Sequence, residues 1–178
     1  MSRVIHNADQ FIVIGENIHA TRVVKRGGVR GHVFGDGSEA VNYKVDGDQR
    51  FVIVPEHFIG TQPYEQGNLK HFMIAMWQGL NGTPEESAQG KDYIRYEVDR
   101  QINAGSHYLD LNVDESSYRL LEQKQTMEWV VKYVETVSTV PPSVDSSNVE
   151  IIEVGLRAYG ATQGRPMLNS IALERPEA

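Results

Sequence analysis

The chain has 178 residues, 40% hydrophobic and 23% charged, which fits a globular fold of one domain, or one and part of another, and argues against wholesale disorder. Lysines and arginines number 17 against 24 acidic residues, and the resulting formal charge of −7 excludes the basic face that a general nucleic-acid binder needs. The absence of cysteine excludes disulfides, thiol catalysis, iron–sulfur clusters and cysteine-ligated zinc together, and a reducing, cytoplasmic setting is expected. The first ten residues carry no apolar leader core, and no stretch approaches the ~20 apolar residues of a bilayer span. Neither secretion nor membrane insertion is therefore expected.

Phe11-Ile-Val-Ile14 is a short apolar run that stops at Gly15, and it predicts a parallel strand over about 11–15, buried on both faces. Residues 22–90 are mixed and rich in turn residues. Within them Val29–Phe34, Ala40–Val45 and Phe51–Val54 alternate across Gly35-Asp36-Gly37 and Asp46-Gly47-Asp48, a pattern that predicts a β-meander. Leu69, Phe72, Met73, Met76 and Leu80 then fall at helical spacing, with Gly79 and Gly82 closing the helix; the stripe reads as core or subunit interface.

The second half is more regular. Ile94, Val98 and Ile102 mark a helix that ends at Gly105, and His107–Val113 alternates as a strand. The next helix spans Leu120 to Val137, with a break expected near Gln125. Pro142–Asp145 is a strand, and Ser147-Asn-Val-Glu150 reads as a capping box that starts a further helix. Ile152, Leu156 and Tyr159 give that helix its apolar side, Gly160 stops it, and Pro166–Asn169 begins another strand. Helices between short apolar strands mean parallel βα units with the helices outside the sheet. A closed βα barrel takes eight strands and ~250 residues. The expectation is therefore the first half of a larger barrel, or a half that pairs with another copy.

Polar residues collect where each predicted strand ends: Glu16 and Asn17; Asp110 and Asn112, followed by Asp114 and Glu115; Asp145-Ser146-Ser147; and Asn169-Ser170. That rim is where parallel α/β folds bind ligands. Each residue alone has a plainer reading, Asp145 as a helix cap and Asn112 or Asn169 as turn residues. Four strand ends together favour a site. Its carboxylates and amides suit a planar heterocycle with adjacent N–H donors and a carbonyl. The basic residues Arg22, Lys25, Arg26 and Arg30 either hold a carboxylate tail or form a solvated loop. No phosphate loop or dinucleotide fingerprint occurs, and the six histidines have no metal-ligand spacing, so no metal is expected. His19 reads equally well as lining the site or as an exposed loop residue.

Four segments in order, Ile14-Gly-Glu-Asn-Ile-His19, Tyr108-Leu-Asp-Leu-Asn-Val-Asp-Glu115, Val144-Asp-Ser-Ser-Asn148 and Met167-Leu-Asn-Ser-Ile-Ala-Leu-Glu174, resemble the pterin-binding barrel family. Within it they look most like the methyltetrahydrofolate:corrinoid methyltransferases and the folate domain of cobalamin-dependent methionine synthase. The resemblance implies an α/β chain forming the N-terminal portion of a (β/α)8 (TIM) barrel over 1–178. The first strand would lie at about 11–15, a meander and helix would be inserted at about 22–90, and βα units would fill about 91–178. It also implies that Asp145 and Asn169 hydrogen-bond the pyrimidine edge of a pterin. Asp110 and Asn112 would sit beneath or beside the ring, and Glu16 and Asn17 on the first loop. The chemistry would move a methyl group between N5 of methyltetrahydrofolate and a corrinoid (cobalamin) carried by a partner protein. The chain departs from the family in having His19 where the first motif carries an asparagine, and the family's later strands, with another pterin-binding aspartate and the asparagine linked to N5 activation, are absent. Two alternatives stand beside this reading: an enzyme like dihydropteroate synthase, and a non-catalytic assembly module built on the meander and the Phe72–Leu80 helix. A homodimer is expected by resemblance alone, and exposed apolar edges would push an isolated half barrel toward association.

Overall fold

Residues 11–170 are described by a computed structural model. In chain order the elements are β1 (Ile14–His19), β2 (Val24–Lys25), β3 (Gly31–Val33), β4 (Glu39–Val45), β5 (Asp48–Ile53), a 3-10 turn (Glu56–Phe58), α1 (Gln62–Glu65) and β6 (Asn68–Leu69). There follow α2 (His71–Asn81), α3 (Pro84–Asn103), β7 (Tyr108–Asn112), α4 (Leu120–Val137), β8 (Pro142–Asp145), α5 (Val149–Ala158) and β9 (Met167–Asn169). Strands β1, β7, β8 and β9 form one parallel sheet in that order. Because each strand lies beside its predecessor, the sheet winds in one direction, as the opening units of a βα barrel do; a doubly wound sheet would reverse. Helix α4 packs on β7, β8 and α5, so the helices form a layer over the strands.

The meander is present as β3-β4-β5, antiparallel throughout. Its tight turn holds Asp46 at φ 52° and Gly47 at φ 92°, the left-handed pair that an Asp-Gly hairpin requires. Val41 and Val52 are fully buried beneath it. On α2, Phe72, Ala75 and Met76 are fully buried, so that stripe is core, and the assembly reading keeps only the meander as support. Gly79 does not close α2 but lies inside it, where a Cβ would run into the Trp129 ring; a Cβ on Gly90 would meet the Ala75 carbonyl. These glycines let α2 sit hard against α4 and α3.

Several expected boundaries move. The first strand begins at Ile14, not Phe11: Phe11, Ile12 and Val13 are 61%, 60% and 45% exposed, and Val13 exchanges hydrogen bonds with His107 before the ladder starts. Helix α4 runs unbroken through Gln125. The cap of α5 is Asn148, whose side chain accepts the Glu150 N–H at 2.9 Å, rather than Ser147. Helix α3 starts from a full capping box, Thr83 with Glu86, that motif reading did not use. Residues 171–174 of the fourth motif lie outside the described residues.

A buried polar network ties the insertion to α3. Glu97, 1% exposed, accepts from Arg100 Nε at 2.8 Å and from Arg30 at 3.3 Å. Arg30 also donates to the Tyr93 hydroxyl, which sits 2.7 Å from His71 Nδ1. His71 is 5% exposed, and burial, helped by the charges of Arg30, Arg100 and Arg22, lowers its pKa from 6.5 to about 3. The folded protein thus binds fewer protons at His71 than the unfolded chain between these two values. His71 contributes stability in full above pH 6.5, and that contribution is lost as pH falls toward 3, with a slope of at most ~1.4 kcal/mol per pH unit. Urea midpoints measured from pH 7 to pH 4 should fall steeply for the native protein and less steeply for His71→Gln, which keeps an acceptor for Tyr93 but cannot protonate. Parallel curves would refute the assignment.

Candidate functional site

The site is built by strand register. Gly15 pairs with Leu109, yet Ile18 pairs with Leu111, so β1 carries one residue more than β7 between these points, a β-bulge over Glu16–Asn17. A one-residue shift reverses which face a side chain takes, and this one brings His19 level with Asn112. Asn112 is level with Asp145, and Asp145 with Asn169. His19, Asn112, Asp145 and Asn169 therefore make one polar row across the carboxyl ends of four parallel strands. Asp110 and Ser143 lie paired two residues earlier, on the same face of their strands. Helix α3 holds the bulge: Gln101 Oε1 accepts the Asn17 N–H at 3.0 Å, and a Cβ on Gly15 would sit 2.5 Å from that same oxygen.

Hydrogen bonds lock the row. Asn112 Nδ2 donates to Asp145 Oδ2 at 2.8 Å, and Asn112 Oδ1 accepts the Asp114 N–H at 3.0 Å. Asp110 Oδ1 accepts from Ser143 Oγ at 2.9 Å and from Asn169 Nδ2 at 3.2 Å. Asp110 is 2% exposed, and burial pushes its carboxyl pKa up; the bonds from Asn169 and Ser143 oppose that, and the neighbouring Asp145 charge adds to it. Among the described residues no donor reaches Asp145 Oδ1 or Asp110 Oδ2. Two carboxylate oxygens flanked by amides are thus held in fixed geometry, unengaged, at a strand-end rim. The cap reading does not survive for Asp145: Asn148 caps α5, while Asp114 receives the Ser147 N–H at 2.7 Å and the Ser146 hydroxyl, fixing the loop.

Of the six candidate residues, the structure brings Asp110, Asn112, Asp145 and Asn169 together. Glu16 and Asn17 lie within β1 rather than on a loop after it. The Glu16 side chain is 64% exposed and faces Arg22 at 3.4 Å, and Asn17 is tied to α3 by its backbone, with no hydrogen bond from either side chain to the row among the described residues. The bulge explains both placements, since it turns this pair out of the regular ladder. The basic cluster does not converge either: Arg22 binds Glu16, Lys25 donates to Asn68, Arg26 grips Glu39 and Arg30 joins the Glu97 network. A groove of about 810 Å³ lies elsewhere, between the β4–β5 hairpin and α3, and includes none of the row. Sequence reading passed over Ser143 and left His19 between two readings. Ser143 stands two residues before Asp145 in a strand, the spacing of a shared face. His19 was balanced between two readings because a bulge is not visible in one strand's sequence.

His19, Asp110 and Asp145 each present a ligand atom within 4.8 Å of the others, the spacing of a cation site. The tautomer argues against that use. The Thr21 N–H, a donor only, points to His19 Nδ1 at 3.2 Å, which makes Nδ1 the acceptor and puts the proton of the neutral ring on Nε2, the atom that would have to bind the metal. No helix among the described residues is long and apolar enough to cross a membrane. A family model described as "Pterin binding enzyme" matches residues 80–178, more than half of the chain, and that stretch contains three of the four strand ends and every residue of the row except His19. The chain belongs to the pterin-binding enzyme family.

Proposed function

We propose that the polar row holds the pterin ring of methyltetrahydrofolate and that the chain is the N-terminal part of a methyltransferase exchanging the N5 methyl with a corrinoid protein. The observation that carries this reading is the pair of unengaged carboxylate oxygens, Asp145 Oδ1 and Asp110 Oδ2, set among Asn112, Asn169 and Ser143. The pyrimidine edge of a pterin offers adjacent N–H donors and a carbonyl, and carboxylate and amide groups are its complements. Asp145 accepts from the ring, Asn169 offers an amide at the next strand, and Asp110, held by Ser143, supports the floor. These residues bind and orient; fixed orientation is the larger part of what a protein can give to a methyl transfer between two bulky partners. The corrinoid, when bound on its own protein, supplies the cobalt that takes or gives the methyl group. The group that assists N5 belongs to strands beyond those described.

Asn112-Val-Asp-Glu115 after β7 favours this reading over a dihydropteroate-synthase-like enzyme, whose second strand ends in a glycine-rich motif. Titrating methyltetrahydrofolate into the protein should give saturable binding. Condensation of p-aminobenzoate with a pterin pyrophosphate would overturn the methyltransferase reading in favour of the synthase, and no affinity for any pterin would overturn both.

A further inference from the structure

From the geometry around Asp145 we infer that His19 is a positioning residue of this site, one that fixes the Asp145 carboxylate by presenting Nε2–H to Oδ2 and leaves Oδ1 for the ring. The inference rests on the pterin reading for the identity of the ligand, but not for the His19–Asp145 arrangement itself. Three observations carry it. The bulge in β1 places His19 level with Asn112, in the same row as the ligand-facing residues, although nothing in the local sequence of β1 demands a bulge there. The ring is held from behind, since the Thr21 backbone N–H lies 3.2 Å and the Thr21 hydroxyl 2.8 Å from Nδ1. That arrangement fixes the neutral tautomer with its proton on Nε2. The nearest approach of Nε2 to Asp145 is then 3.6 Å, to Oδ2, the oxygen that already accepts from Asn112.

At 3.6 Å the contact is a charge–dipole attraction between Nε2–H and the carboxylate rather than a formed hydrogen bond. Two N–H groups directed at one carboxylate oxygen, Asn112 from the adjacent β7 and His19 from β1 beyond it, restrain the Asp145 rotamer from one side of the sheet. The remaining oxygen then faces the mouth of the site with its lone pairs aligned, and the ligand does not have to order it on binding. His19 acts through Asp145, so its removal loosens the aspartate without taking away any group that the ring touches.

Two measurements on the same protein test this. Long-range proton–nitrogen NMR of His19 in the free protein should show the Nε2-protonated tautomer; a neutral ring protonated at Nδ1 would overturn the inference whatever the ligand. Methyltetrahydrofolate affinity should fall about tenfold in His19→Ala. His19→Gln, whose amide N–H reaches nearly as far as Nε2, should restore it to within about threefold, a recovery that mere filling of space would not give, so His19→Leu should remain weak. Thermal midpoints of all three variants verify that each is folded. Native protein that binds while His19→Ala binds equally well refutes the role of His19 and leaves the pterin reading standing. Native protein that binds no pterin refutes the pterin reading, while the tautomer measurement still decides the His19–Asp145 contact.

Discussion

Replacing Glu97 with alanine should destabilise the protein by about 2–3 kcal/mol, the range for losing charge-assisted hydrogen bonds at a buried carboxylate. Glu97 is 1% exposed and carries the only negative charge in direct contact with both Arg30 and Arg100 among the described residues. Its loss leaves Arg30 and Arg100 without their shared carboxylate, and with side chains 37% and 48% exposed both can turn partly toward water. Glu97→Gln keeps the shape and one acceptor, so it should cost less than alanine, yet still far more than a surface exchange. Adding Arg30→Met to Glu97→Ala should recover part of the loss, because the uncompensated charge goes with it. Urea unfolding followed by tryptophan fluorescence and circular dichroism checks all three; Trp77 and Trp129 both border the α2 packing. A loss below about 1 kcal/mol for Glu97→Ala would mean that water reaches the network freely.

Glu97 also marks where sequence reading stops. Ile94, Val98 and Ile102 mark only the second half of α3, whose start at Pro84 they do not reach, and Glu97 and Gln101 sit three and seven residues after Ile94 and share its inward face. That spacing was the available signal. A glutamate on a helix usually points to solvent, and its partner Arg30 comes from an insertion whose path no local pattern gives. The regular units were easier: β8 was legible to the residue because Pro142 and Asp145 bracket a short buried run with a polar end. The two-residue pairing of β2 with β6 was not, since a ladder that short leaves no periodicity. β1 failed for a third reason. Its apolar lead-in, Phe11–Val13, matched a buried strand in composition, while the pairing residues Gly15–His19 are partly polar and become a strand only through their neighbours β7 and α3. The candidate site followed the same division. Asp110, Asn112, Asp145 and Asn169 were legible because strand-end position is a local property, whereas Glu16, Asn17 and His19 depended on a register that only the assembled sheet fixes.

Asp145 should therefore carry the largest single effect on ligand binding. Asp145→Ala removes the acceptor offered to the ring and strands the Asn112 amide that it holds at 2.8 Å. A charge-assisted hydrogen bond together with an orphaned donor corresponds to about a hundredfold loss in methyltetrahydrofolate affinity. Asp145→Asn is the sharper probe. It preserves volume, but whichever way its amide turns it offers only one acceptor where the row uses two, so either Asn112 or the ring meets an N–H instead of an oxygen. Its loss of affinity should approach that of alanine. Asn169→Ala should cost less, because Asn169 is one of two donors to Asp110 and Ser143 remains in place. The order Asp145→Ala, Asp145→Asn, then Asn169→Ala can be read by calorimetric titration of folded variants. An Asp145→Asn protein that binds within threefold of the native affinity would show that the ring does not donate to this carboxylate, and the pterin would have to be held elsewhere on the rim.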